Sequence, residues 1–415
     1  MSTTRETNRF HNTITLIMKN NLYILLIQAF LFGLISSIHG TVFQPFILTL
    51  FPSLVVVGLL QSIFNFGSFS FQIFGGYFSD RLGRKKALSV VFLFSSLMGI
   101  IFLAIILFSP LDPLWTITML IMGTLILSTG MAFYRTSGPA VAIDSSESAT
   151  SETKLQNTGL ILGFLLFAEF SSGIIGSVIA GVSGEEGLPF TYLVIVGISI
   201  VGIIVTLCFF KNSSKNTFTV KSERSIKSYF NIRPSLRLFY LATGTDAVGC
   251  FLILGIWFSL LVKYYNYSIA DLAVISLISN VVLGFGQIPG GWLADRIKKI
   301  YMFALSELSL IIGLIIWIFS QQLLWVGVGY AFFALSVVFW FPPVYTYLGE
   351  RVAKDERAFE IGKWNAYRGL IAFPIPFIGG FLAEIWGFHA PIFVSLIIIC
   401  IALFFYLRIS DSRIE

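Results

Sequence analysis

Twelve apolar stretches, each long enough to cross a lipid bilayer, run through this 415-residue chain with short polar breaks between them. A helix rises ~1.5 Å per residue, so about 20 apolar residues cross the ~30 Å hydrocarbon core of a bilayer. The candidate spans cover 22–48, 54–78, 87–108, 114–140, 156–181 and 188–210. They continue through 236–262, 269–293, 301–320, 323–347, 359–384 and 388–407. Composition supports the reading: the chain is 56% hydrophobic and 12% charged, where soluble domains carry roughly 25% charge. A water-soluble protein of this makeup lacks the polar groups to cover its core. In lipid, Leu and the 43 Phe can face outwards while helices satisfy their own backbones. The predicted fold class is an all-α membrane protein. Pro45, Pro139, Pro289, Pro342, Pro343, Pro374 and Pro376 fall inside spans, where they mark bends beside a cavity.

The polar breaks divide the chain into an N-terminal tail (1–21), six spans (22–210), a linker (211–235), six more spans (236–407) and a C-terminal tail (408–415). With the N-terminus inside, the inner loops collect Arg5, Arg9, Lys19, Arg84, Lys85, Lys86 and the basic linker, and the outer loops collect Lys263 alone. The positive-inside rule then puts both chain ends in the cytoplasm and the protein in the cell membrane. The net charge of +6 belongs to those short loops, where topology and anionic lipid explain it, so no nucleic-acid partner is expected. No cleavable signal is visible before the first span. Cys208, Cys250 and Cys400 have no paired spacing and read as small buried hydrophobes. No HExxH helix, P-loop, Cys–His cluster or serine-triad signature appears, so neither an enzyme, a cofactor nor a metal site is expected, and the protein reads as a monomer.

Two segments six spans apart echo each other. Gly75-Gly76-Tyr77-Phe78-Ser79-Asp80-Arg81 ends the second span and Gly290-Gly291-Trp292-Leu293-Ala294-Asp295-Arg296 the eighth, each followed by basic residues. Paired glycines let helices approach closely, and an Asp at a helix end can accept from the free N–H groups of a neighbouring helix. The first copy, continuing through Leu82-Gly83-Arg84-Lys85, resembles the signature of the major facilitator superfamily. The second copy matches through Asp295-Arg296 and lacks the Gly-Arg step. The resemblance implies twelve transmembrane helices in two pseudo-symmetric six-helix bundles that alternate access to a central cavity. It also implies a cytoplasmic gating motif of Gly76, Asp80, Arg81, Gly83 and Arg84, repeated in Gly291, Asp295 and Arg296. Asp80 would dock on the start of the eleventh span, Asp295 on the start of the fifth, and Arg84 would pair with Asp144.

Ionisable side chains deep in a span cost several kcal/mol unless paired or hydrated, so each is a functional candidate. Arg135 lies nine residues before Asp144, about 13 Å along the helix. Asp246, Arg368 and Glu169 lie at similar or greater depth, and two acids with two bases permit pairing across the interface of the halves. Either Asp246 or Glu169 would carry the coupling proton; the alternative is a fixed salt bridge that assists packing. Glu307 and Glu384, nearer span ends, read as lesser candidates. Gln28 and His39 sit on the first span, which in this family lines the cavity. Tyr134, Trp257, Trp340 and Tyr345 are the candidate cavity aromatics for an apolar or cationic ligand. Glycines of the fifth span, among them Gly173, Gly176 and Gly181, read as a close-packing stripe. The expected function is secondary transport of a small molecule, coupled to protons and directed to drug or metabolite efflux. Nutrient or organic-anion uptake and a non-transporting membrane sensor are the alternatives.

Overall fold

The computed structural model describes residues 21–72, 74, 75, 78, 79, 83–110, 112–147, 158–210, 231–352 and 357–409. Before the linker these form α1 (Asn21–Leu50), α2 (Leu54–Ser70), α3 (Arg84–Leu107), α4 (Pro113–Glu147), α5 (Thr158–Glu186) and α6 (Leu188–Phe209). After it come α7 (Arg237–Leu254), α8 (Trp257–Tyr265), α9 (Ile269–Arg296), α10 (Lys299–Phe319), α11 (Leu323–Arg351), α12 (Arg357–Ala372), α13 (Ile375–Trp386) and α14 (His389–Leu407). There is no strand among the described residues. Eleven helical segments are long and apolar enough to cross a membrane, and Leu54–Ser70 is a shorter apolar helix. The protein is an integral, multi-pass membrane protein.

The helices are inverted relative to those of a soluble protein. On α14, Ile392, Ser395, Ile399, Ala402 and Tyr406 face inwards, while Phe393, Ile397, Ile401 and Phe404 point out. A helix apolar on every side suits lipid, with its smaller and polar residues turned to its neighbours. Exposed Leu193, Ile200, Ile204 and Leu207 make the same outward stripe on α6. Cys208 and Cys400 lie on this exposed surface and only Cys250 turns partly inwards, so the expectation of three buried thiols is corrected. Cysteine is apolar enough for either solvent, and its helical phase decides.

The sequence echo reappears as packing. α2 packs on α4 as α9 packs on α11; α3 packs on α4 and α6 as α10 packs on α11 and α14. Gly75 meets Ala132 and Thr136 of α4, and its counterpart Gly290 meets Val338 of α11, with a Cβ at Gly290 falling 2.6 Å from that side chain. Gly291 has open space around it, so of the paired glycines in the second copy it is Gly290 that makes the close approach. Helices before and after the linker meet mainly through α5 against α9 and α2 against α12 and α13.

The seventh and eleventh spans are broken helices. α7 stops at Leu254 and α8 begins at Trp257, while Phe373 and Pro374 separate α12 from α13. A Cβ at Gly255 would come within 2.5 Å of Pro376, so the two breaks pack against each other. Breaking a helix in lipid frees backbone groups that must find partners. Gln44 of α1 supplies them at the first break: its Oε1 accepts from Ser259 N at 3.0 Å and its Nε2 donates to the Leu254 carbonyl at 3.3 Å. At the second, Ser62 Oγ of α2 accepts from Phe377 N at 3.1 Å.

Candidate functional site

Two clusters of charge sit within the helices, one on each side of the linker in sequence. In the first, α4 places Tyr134 and Arg135 about 100° apart around its axis. Tyr134 turns into the core and stacks on Phe32 of α1 at 4.0 Å between ring centres. Arg135 remains exposed, within electrostatic reach of Glu169 on α5. The Tyr134 hydroxyl approaches Glu169 without closing a hydrogen bond. Tyr345 of α11, 39% exposed, lies within electrostatic reach of Arg135, Glu169 and Arg368 and so joins the two clusters.

The second cluster gathers around a hydrogen-bonded guanidinium. Arg368 Nη2 of α12 donates to Asp246 Oδ2 of α7 at 2.8 Å, and its Nε donates to the Thr243 carbonyl at 3.3 Å. Its guanidinium lies 4.1 Å above the Trp340 ring and 5.5 Å from that of Trp364. Cys250 Sγ donates to Asp246 Oδ1 at 3.2 Å, Trp364 Nε1 to Thr243 Oγ1 at 3.0 Å, and Trp340 Nε1 to Tyr406 Oη at 3.0 Å. A buried pair with satisfied flanks avoids most of the desolvation penalty that would otherwise exceed its attraction.

These contacts correct the expected pairing across the interface. Asp246 pairs with Arg368 and Glu169 neighbours Arg135, each on its own side of the linker. Trp257 is corrected as well: it is 1% exposed, stacks on Trp317 at 3.9 Å, and belongs to the packed core near the first helix break. Gln28 donates to Thr206 of α6 at 2.9 Å, and His39 is buried against Phe43 and Phe102, so both face core rather than cavity.

Glu307 of α10, a lesser candidate by its position near a span end, is fully buried, and neither carboxyl oxygen has a hydrogen-bond partner. Glu384 of α13 takes a hydrogen bond from Leu54 N, the first residue of α2, at 2.7 Å, and another from Lys263 Nζ at 2.7 Å. Lys263 also reaches the Pro52 carbonyl at 3.4 Å. Asn280 of α9 donates through Nδ2 to Ser37 Oγ at 3.1 Å, the Gly173 carbonyl at 3.0 Å and Ser177 Oγ at 3.0 Å. A Cβ at Gly173 would come within 2.7 Å of Asn280, and one at Gly176 within 2.8 Å of Ser37, so the expected stripe is a seat for polar as well as apolar neighbours. No charge pattern marked Gln44, Ser62 or Asn280 in advance. Their one signal was a polar group in an apolar span.

Among the described residues, the hydrogen bonds that join helices before the linker to helices after it run from mid-depth, at Ser37, Gly173 and Asn280, to the face bearing Phe51–Ser53 and Asn266–Ser268. Among the described residues, this face is held closed by those bonds. At Asn266 the chain turns with φ 56°, and Ser268 opens α9 with a capping box to Asp271.

At the opposite face, Gly83 adopts φ 92°, a backbone region that glycine tolerates and other residues rarely enter, and so starts α3. Arg84 Nη1 donates to Ser79 Oγ at 2.9 Å. Arg296 lies 4.0 Å over the Trp292 ring. Gly76, Asp80 and Arg81 and the side chains of Asp144 and Asp295 lie outside the described residues, and with them the expected dockings and the Arg84–Asp144 pair.

The family model of the Major Facilitator Superfamily matches residues 25–376 and, overlapping it, 286–415. No curated protein matches the chain in sequence. Among solved structures, the nucleoside transporter NupG is 11% identical with a TM-score of 0.78, the alignment covering 94% of this chain and 100% of that one. The D-xylose–proton symporter is 14% identical with a TM-score of 0.74, covering 94% and 98%. A bacterial homologue of the human lysosomal transporter Spinster is 15% identical with a TM-score of 0.67, covering 93% and 95%. With the family model matched from residue 25 to the C-terminus, the chain is a member of the major facilitator superfamily.

Proposed function

We propose that the protein is a secondary transporter that carries a small molecule across the cell membrane by alternating access, driven by protons. Twelve spans in two six-helix bundles (22–210 and 236–407), joined by the 211–235 linker, would rock about the central clusters. Both chain ends and the 211–235 linker would lie in the cytoplasm, as the distribution of Lys and Arg requires. The observation that carries this reading is the asymmetry of the interface. Hydrogen bonds join its two sides from mid-depth to one face, while Arg135 and Tyr345 between the charge clusters stay exposed. Bonding concentrated at one face is what a state closed at that face requires, and such a state is one of the two that alternating access needs.

Coupling is assigned to Asp246 and Glu169, the carboxylates beside Arg368 and Arg135. A proton or an anionic group of the substrate would compete for each guanidinium. The D-xylose–proton symporter, a structural neighbour by its description, supports a proton as the coupling ion. Efflux of a drug or metabolite remains the first reading of direction. Uptake of an organic anion is the second, favoured by the exposed Arg135 guanidinium.

The test is transport into proteoliposomes under an imposed pH gradient, with nucleosides, sugars, organic anions and lipophilic cations as probes. At least one class should accumulate, and Asp246→Asn should abolish accumulation while sparing substrate exchange. Normal accumulation by that variant refutes the assignment to Asp246. Absence of gradient-driven or exchange transport for all four classes refutes the transporter reading.

A further inference from the structure

Glu307 has no part in the coupling scheme above. It exposes none of its surface, and both carboxyl oxygens lack hydrogen-bond partners. The groups that face it electrostatically are Asp246 and Cys250 of α7, Arg368 of α12, and Cys400 and Tyr406 of α14. Two of these can bear full charge at neutral pH, Asp246 and Arg368, and they are already paired at 2.8 Å. Two carboxyls and one guanidinium are thus buried within electrostatic reach of one another. With both carboxyls ionised the cluster would carry one uncompensated negative charge, and burying such a charge unpaired costs several kcal/mol. One proton makes the cluster neutral. Asp246 has its oxygens occupied by Arg368 and Cys250, whereas those of Glu307 are free.

We propose that Glu307, Asp246 and Arg368 form one proton-binding site, which holds a proton on Glu307 while Arg368 pairs with Asp246 and takes a second proton onto Asp246 when Arg368 is drawn away. The proton comes from water at the exposed edge of Arg368, one O–H bond of a hydronium breaking as the carboxyl O–H forms. The purpose of the site rests on the proton-coupled reading above; its existence does not. A ligand that attracted Arg368 would in this way load the protein with a proton, linking substrate binding to proton uptake within one set of helices.

Infrared difference spectroscopy of the purified protein in lipid nanodiscs at neutral pH reads the carbonyl stretch of protonated carboxyl groups. Glu307→Gln should lose the intensity of one such group relative to the unmodified protein. Asp246→Asn should lose the same intensity, because Glu307 then ionises to pair with Arg368. Arg368→Met should gain the intensity of one group. Unchanged intensity in Glu307→Gln overturns the assignment of the proton. Unchanged intensity in Asp246→Asn or in Arg368→Met overturns the sharing and leaves an isolated neutral glutamate. Should Glu307→Gln fail to fold, the other two variants still decide. Loss of all transport, with the infrared pattern intact, would refute the transporter reading and leave this site standing.

Discussion

Removing the Glu384 carboxylate should open the closed face by a measurable amount. Three contacts meet there: Leu54 N to Glu384 at 2.7 Å, Lys263 to Glu384 at 2.7 Å, and Lys263 to the Pro52 carbonyl at 3.4 Å. Lys263 and Glu384 both lie after the linker, so their pair survives opening and does not favour either state. The Pro52 contact is long and contributes little. What opening breaks is the charge-assisted bond from Leu54 N–H, worth about 2 kcal/mol. Glu384→Ala should therefore shift the balance toward the open face roughly thirty-fold. Lys263→Ala leaves that bond in place and should shift it by less than about fivefold, as partly exposed ion pairs are worth roughly 1 kcal/mol or less. The reporter is Thr41→Cys in a background with Cys208, Cys250 and Cys400 replaced. Thr41 is buried at the interface, its hydroxyl bonded to Ser276 of α9. Its labelling by a membrane-impermeant thiol reagent applied to the closed face should accelerate in Glu384→Ala and barely change in Lys263→Ala. Equal labelling rates in both variants, in folded protein, would refute the reasoning that the cross-linker contact resides in the helix cap rather than in the ion pair.

Other substitutions test the joints and the buried pair. Asn280→Ala removes three hydrogen bonds to α1 and α5 and should lower stability by about 2 kcal/mol, read as an earlier thermal transition in detergent. Arg368→Met leaves Asp246 without its partner, obliges it to take up a proton, and should cost about 3 kcal/mol, with Asp246→Asn in the same chain recovering most of it; failure to recover would mean that Arg368 acts through packing on Trp340 instead. Gly83→Ala forces a side chain into the φ 92° region and should cost about 1–2 kcal/mol by the same thermal measurement, whereas Gly291→Ala, with open space around it, should be close to neutral.

Much of the architecture was legible because lipid imposes a single rule, that backbone groups be satisfied within long apolar helices. The spans read at 22–48, 188–210 and 323–347 correspond to α1, α6 and α11 within a few residues. The repeat around Gly75 and Gly290 announced the recurrence of helix pairs. Composition could not announce that the spans read at 236–262 and 359–384 are broken, since Gly255 and Pro374 are compatible with either a kink or an interruption. The outcome was decided by the presence of partners for the freed groups, Gln44 and Ser62, hundreds of residues away in sequence.

The candidate site divides along the same line. Asp246, Arg368, Arg135 and Glu169 stood out because charge in an apolar span is costly wherever it points. Their pairing did not, because partner choice depends on which faces of α7, α12, α4 and α5 turn together. Trp257 illustrates the converse: an aromatic on a span expected to line the cavity, it opens α8 just after the break and lies stacked on Trp317 in the core.

By itself, then, the sequence determined the solvent, the placement of the long apolar segments, and which side chains would be expensive to bury. Only the tertiary structure decided which of those costs are met and by what, sealing one face through helix caps and leaving Glu307 without a partner. Hydrophobicity is additive along a chain and can be read from composition, whereas hydrogen bonds and ion pairs are directional and exist only where two distant segments bring their atoms within about 3 Å.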